Sequence, residues 1–286
     1  MADGRRLRIG EFSRRVGVSP ELLRAWETRY GLLRPERSGG GLRLFSEQDE
    51  RRVQLMLENL HTGMPASEEA RLATGGWIPS AYERRQAFAE LERELGEGVE
   101  ELDEPKTQAA LDRVLDTFAL PEALAEVILP FLHRLGERWA EGEISVAHEH
   151  FASNIIGGRL RTLARGWGDG VGPQAVLACQ PGERHDLGLL CFGLVLRERG
   201  WRITFLGAET PLGDVAAVCG ELGPVLVVLC AVKPERFRRH AEEIVILGTR
   251  ARVAIGGAGA TAALAGQLGV ELLEADAVVA ASALMP

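Results

Sequence analysis

Residues 181–188 read Pro-Gly-Glu-Arg-His-Asp-Leu-Gly and set His185 among Glu183, Arg184 and Asp186. An imidazole can ligate a metal or carry a proton. A carboxylate two residues away can hydrogen-bond its second nitrogen, which fixes the tautomer and strengthens the ring as a ligand. Arg184 can only donate and is expected at solvent. A second constellation leaves nine residues between Trp139 and the pair Glu149–His150. Glu149, Ser153 and Gly157 are four apart, so they share one face of a helix. A third group, Arg24, Arg34, Arg37 and Arg43, stands in a basic N-terminal stretch. Each has a plainer reading: a lone loop histidine is usually a surface residue, and a lone tryptophan is usually core.

The elements that must position these groups follow from periodicity. The run "AVLAC" before His185 is a buried strand, and "LGLLCFGLVLRERG" after it is helical. From Gln174 the runs "QAVLACQ", "WRITFLG", "PVLVVLCAV" and "RVAIGG" alternate with helical patterns, and "VELLE" supplies a short fifth strand. That alternation implies a doubly wound parallel sheet. Such sheets bind ligands past the carboxyl ends of their strands. His185, Thr210, Cys230, Gly256 and Gly257 fall at or after those ends. The "GGAGA" at 256–260 lacks the spacing of a dinucleotide loop. Residues 80–167 carry helical spacing near 80–96, 106–119, 121–140 and 145–166, as in a four-helix bundle, and Pro130 should kink the third helix.

The N-terminal stretch reads as a helix over Ile9–Val16 ended by Gly17, then a second from Pro20 to Tyr30 capped by Ser19 and closed by Gly31. Leu22, Leu23, Trp26 and Tyr30 are its core candidates. The Gly39–Gly41 run and "LRLF" make a small wing. Ser46 with Asp49 opens a third helix, Ser46–His61. Helix, turn, helix and wing together form a winged helix-turn-helix, whose second helix enters the DNA major groove.

Charge agrees with that division. The chain of 286 residues has a net charge of -8, yet residues 1–45 hold ten arginines and five acids, a local +5 against -13 for the rest. A basic head on an acidic body is suited to a polyanion. No apolar run reaches the ~20 residues of a membrane span, so no membrane is expected. The N-terminus lacks a signal-peptide core, and the four cysteines have no CxxC spacing. Reduced thiols and a cytoplasmic location are expected.

"IGEFSRRVGVSPELLRAWETRYGLLRPERSGGGLRLFSEQD" resembles the DNA-binding head of the MerR family. The resemblance implies that Arg24 lies in the recognition helix and Arg37 and Arg43 in the wing, with Glu27 and Tyr30 structural. The breaks at Gly63, Pro65, Gly75 and Gly76 interrupt the coiled coil usual in that family, so dimerisation must use another surface. Glu183-Arg-His185-Asp186-Leu-Gly188, Cys230-Ala-Val232 and Gly256–Gly257 resemble the D-x-H-x-x-G, S-x-L and G-G fingerprint of the cobalamin module of methionine synthase. Glutamate replaces the aspartate and Cys230 the serine. The combination, with Trp139-x9-Glu149-His150, resembles the CarH/LitR class of light-sensing repressors.

That class implies three domains: 1–76, a MerR-type winged-helix DNA-binding domain; 77–168, a four-helix bundle capping cobalamin; and 169–286, a Rossmann-like cobalamin-binding domain. It implies adenosylcobalamin between Trp139, Glu149, His150 and Ser153 above and His185, the lower cobalt ligand, below. Glu183, Asp186, Gly188, Thr210, Cys230, Val232, Gly256 and Gly257 would surround the cofactor. It further implies operator DNA as partner, a homo-oligomer built as a dark dimer of dimers, and no enzymatic activity. A light-indifferent cobalamin-sensing repressor and a corrinoid methyl carrier are the alternatives, and the DNA head weighs against the carrier. In the class a histidine follows the tryptophan and ligates cobalt after light. Here Ala140 stands there, so His148, or failing it His150, is expected to take that place.

Overall fold

The computed structural model describes residues 6–33, 35–37, 43–60 and 81–285. The chain divides into two compact units, Met1–Leu91 with Asp112–Ala119, and Glu92–Leu111 with Leu120–Pro286. The division cuts through two helices, α4 (Ala81–Glu100) and α5 (Glu104–Thr117).

The first unit begins with β1 (Leu7–Arg8), α1 (Ile9–Val16) and α2 (Pro20–Tyr30), followed by β2 (Glu36–Arg37), β3 (Arg43–Phe45) and α3 (Glu47–Leu60). Ser19 Oγ accepts from Leu22 N–H at 3.2 Å, satisfying an orphan donor of α2. Ser46 and Asp49 exchange bonds of 2.9 and 3.2 Å, a reciprocal cap for α3. Phe12, Leu23, Trp26, Phe45, Val53 and Met56 form the core, and the Phe12 and Phe45 rings stack at 4.7 Å.

Leu22 departs from expectation, being 43% exposed. It sits about 100° around α2 from the buried Leu23, off the stripe that Leu23 and Trp26 define. The wing also gains a strand that periodicity did not reveal. β1 pairs antiparallel with β3, giving the order β1-β3-β2. Two residues are too few to show an alternation.

The helices of the second unit include α6 (Leu120–Ala123), a π-helical turn over Leu124–Ile128, α7 (Leu129–Ala140) and α8 (Val146–Leu163). The expected kink at Pro130 takes the form of that turn. Proline offers no N–H to the preceding turn, and widening to i→i+5 bonds accommodates the loss.

The sheet contains β4 (Gln174–Cys179), β5 (Arg202–Gly207), β6 (Leu226–Cys230), β7 (Val253–Gly256) and β8 (Glu271–Leu272), all parallel, in the order β5-β4-β6-β7-β8. Between them run α9 (Leu187–Glu198), α10 (Leu212–Leu222), α11 (Pro234–Arg239), α12 (Ala241–Gly248) and α13 (Ala262–Leu268), and α14 (Ala277–Ala283) follows β8. Every residue of β4 is buried, as expected of a strand covered on both faces. Val176, Val227, Leu229 and Ile255 pack with Leu212, Phe237, Ile244 and Leu264 of the helices on one face. Leu177 meets α9 on the other, where a Cβ on Gly193 would lie 2.9 Å from it.

The chain leaves β4 for β5 on one side and reaches β6 on the other. The strand order therefore reverses between β4 and β6, which opens a crevice beyond their carboxyl ends. Cys179 and Cys230, register partners across that gap, mark its floor.

Candidate functional site

A cavity of ≈ 1140 Å³ lies over this crevice, walled by α7 and α8 on one side and by the loop after β4 on the other. His185 lines it. The His185 ring is 71% exposed, with Nδ1 2.6 Å from Glu183 Oε1. Its backbone N–H donates to the same oxygen at 3.0 Å. Nδ1 is thus occupied, and Nε2 is the nitrogen left to bind.

Glu183 is fully buried behind the ring. Its Oε2 accepts from Val232 N–H at 2.7 Å and pairs with Arg236. Burial pushes this carboxyl up. The bonds from Val232 N–H, His185 N–H, the imidazole and Arg236 outweigh it and hold the pKa at about 2. The ring therefore faces a permanent anion. Cys179 Sγ lies 3.8 Å from the His185 carbonyl oxygen. Its thiol is pushed far up, first by the Cys230 thiol and then by burial, so it remains protonated.

On the opposite wall Trp139 projects from the end of α7, 48% exposed. Ser153 Oγ donates to Glu149 Oε1 at 2.7 Å, and His150 Nε2 lies 3.6 Å from Glu149 Oε2. All four residues line the cavity, as do Asp186, Gly188, Cys230 and Gly257. A Cβ on Gly188 would meet nothing within 4 Å, so the wall is open there. Gly257, at φ +87°, has no room for a side chain, because a Cβ would stand 2.7 Å from Ala231 O and 2.8 Å from Cys230 Sγ.

Other expected residues lie outside the lining. Thr210 is buried and donates to Gly207 O at 3.0 Å. Val232 contributes its N–H to Glu183, and Gly256 sits within β7. His148 is turned away, its Nδ1 2.8 Å from Ser145 Oγ. His150, two residues on and about 200° around the helix, faces the cavity instead.

Three contributors escaped the sequence reading. His133, its side chain 78% exposed, also lines the cavity. Its spacing to Gly136 and Trp139, three and six residues on, was the available signal. Arg161 donates to both oxygens of Asp186, at 3.1 and 2.8 Å; it continues the four-residue ladder of Glu149, Ser153 and Gly157. Residues 273–277, which join β8 to α14, complete the wall, and no local pattern marks them.

The donor set is a single backed imidazole. Among the described residues no group of three or more His, Cys, Asp or Glu side chains could hold a metal ion. A metal at Nε2 fits only if it brings most of its own ligands, as the macrocycle of a corrin does. The size of the cavity and the gap at Gly188 suit such a group.

In the first unit Arg24 is exposed on α2. Arg43 Nε donates to Glu27 Oε1 at 2.9 Å across the helix and wing, which gives Glu27 its structural part. Arg37 lies in β2 opposite Arg43. Its side chain, that of Tyr30, and Arg34, Gly39–Gly41, His61 and Gly63–Gly76 lie outside the described residues. No described helix is long and apolar enough to cross a membrane.

Residues 7–73 match the family described as MerR HTH family regulatory protein, and residues 91–164 match B12 binding domain. The chain is 34% identical to the HTH-type transcriptional repressor CarH of Myxococcus xanthus over 265 residues, 88% of this chain and 86% of that protein. It is 33% identical to the HTH-type transcriptional repressor CarA of the same organism over 263 residues, 89% and 87%. In fold it is similar to the monomethylamine corrinoid protein of Methanosarcina barkeri. The TM-score is 0.57 at 14% identity, covering 68% of this chain and 96% of the other.

Proposed function

This chain belongs to the CarH/CarA family of B12-binding, MerR-type transcriptional repressors, and from that premise we propose that it is an adenosylcobalamin-dependent repressor released from its operator by light. The observation that carries the reading is the cavity, with backed His185 on one wall and Trp139, Glu149, His150 and Ser153 on the other. Bound there, adenosylcobalamin would supply a light-cleavable cobalt–carbon bond. The chain's own part is to hold and orient that group. His185 Nε2 would hold its cobalt. Gly188, with open space where a Cβ would stand, would leave room for the nucleotide tail, and Trp139 would exclude water from the opposite wall. Arg24, Arg37 and Arg43 grip DNA.

Occupancy of the cavity joins α7 and α8 to the sheet, which favours a dark dimer of dimers that presents several DNA heads at once. Ala140 carries no donor. His150 is the imidazole we assign to the upper side after illumination, in place of His148, because its ring lines the cavity.

An absorption spectrum of the protein with adenosylcobalamin, in the dark and after green light, tests the reading alongside size-exclusion chromatography and operator binding. The expected result is a dark spectrum that light converts, with loss of assembly and of DNA affinity. Binding without any response to light would instead establish a light-indifferent cobalamin sensor.

A further inference from the structure

Arg236 stands outside the cavity lining, on the short helix α11 that follows β6. Its side chain is 24% exposed and paired with Glu183 Oε2, and the Glu183 side chain is 0% exposed. The two oxygens of that carboxylate divide their work. Oε1 accepts both His185 donors, the backbone N–H at 3.0 Å and Nδ1 at 2.6 Å. Oε2 takes Val232 N–H at 2.7 Å and the Arg236 guanidinium. We infer that Arg236 is a positioning residue for the ligand histidine: by occupying Oε2 it sets the plane of the Glu183 carboxylate, dedicates Oε1 to His185 Nδ1–H, and so presents Nε2 to the cavity. The inference rests on the reading of His185 as the lower cobalt ligand.

A buried carboxylate cannot exchange a lost partner for water. Without Arg236 only Val232 N–H would remain on Oε2, and a single amide does not prevent rotation about Cγ–Cδ. A turned carboxylate would offer His185 a poorer acceptor, and the ring would lose its preference for protonation at Nδ1. The contact is a single one, from Arg236 Nη1 to Oε2; a planar guanidinium approaches it from a fixed direction, whereas a lysine ammonium supplies charge alone. Arg236 and Val232 sit four residues apart in the segment leaving β6, so one stretch of chain anchors the carboxylate twice. Arg184 pairs with Glu209 at 3.2 Å and Asp186 with Arg161. Neither pair touches the Glu183 carboxylate, so the orienting task falls to Arg236.

The test uses the full chain, uniformly labelled with 15N and loaded with cob(II)alamin. The unpaired electron of cobalt(II) points along the axial direction. A protein nitrogen below it therefore gives a doublet splitting, and the unlabelled base of the cofactor gives a triplet. Wild type should show the doublet. Arg236→Gln, folded by circular dichroism, should lower the doublet-to-triplet ratio by roughly 10-fold, the low end for loss of a ligand's supporting partner. Arg236→Lys should fall between.

In the cofactor-free protein, ring 15N shifts of His185 should report protonation at Nδ1 in wild type and a tautomer mixture in Arg236→Gln. A purely structural staple would not move that readout. If Arg236→Gln does not fold, Arg236→Ser, which opens a path for water to Glu183, is judged by the same two measurements. A neutral variant with the wild-type doublet and tautomer overturns the inference. Absence of the doublet from wild type overturns the ligand reading itself and the inference with it.

Discussion

His185 reaches the cavity with one nitrogen held by a buried anion and the other free, and that asymmetry is the chemistry of the site. His185→Ala should abolish cobalamin retention in an absorbance titration. Glu183→Gln should retain binding but weaken it by roughly 10- to 100-fold, because the ring loses its anionic acceptor. The same change removes the anion that faces Arg236 and should cost about 2 kcal/mol of stability in urea unfolding. On the upper wall, His150→Ala should alter the spectrum recorded after illumination, and His148→Ala should leave it as in wild type. The reverse pattern would place His148 inside the cavity, against the geometry that ties it to Ser145.

Among the elements, α8 connects the two walls. Its face carries Glu149 and Ser153 toward the Trp139 side of the cavity and ends at Arg161, which clasps Asp186 beside His185. Gly157 makes the clasp possible, since a Cβ there would lie 2.6 Å from Arg161 Nη1 and 3.1 Å from Leu187 Cδ2. Gly157→Ala should therefore displace Arg161. Arg161 is half exposed, so loss of the pair costs no more than about 1 kcal/mol. Replacing a helical glycine returns a similar amount, about 1 kcal/mol. The melting temperature should barely change, while amide hydrogen exchange in residues 185–190 should quicken. Unchanged protection there would show that the clasp does not hold the loop.

At the scale of the whole molecule, charge separates the two tasks. The first 45 residues carry the +5 head and the remainder carries -13, so salt should act mainly on the head. Each phosphate contact adds a slope of roughly 0.9 to the dependence of log affinity on log salt. Arg37→Ala with Arg43→Ala should weaken DNA binding across sequences and flatten that dependence by up to about two such increments, measured by fluorescence anisotropy from low to moderate salt. Arg43 also braces the wing against Glu27, so Glu27→Gln should loosen the wing without removing a phosphate contact. Its affinity loss should leave the salt slope nearly intact.

Periodicity and end signals were enough for most of the elements, the two-residue β1 excepted. Phe12 and Val16 at helical spacing, Ser19 before Pro20 and the Ser46–Asp49 pair place three helices of the head, because these signals act within one turn of chain. The apolar runs ending at Cys179 and Cys230 place two parallel strands, because a strand covered on both faces is built mostly of apolar residues. His185 and Glu183 were legible for the same reason: they are two residues apart. Arg236, His133, Arg161 and the stretch from Leu273 to Ala277 were not. Each reaches the site across tens of residues, through a strand order that reverses between β4 and β6. Local sequence decides which residues leave an element on the same side. Which elements then meet is decided by burial summed over the whole sheet and its helices, and only the tertiary structure carries that sum. For that reason His148 and His150, ranked in that order from the sequence, part company once α8 turns one face to the cavity and the other away.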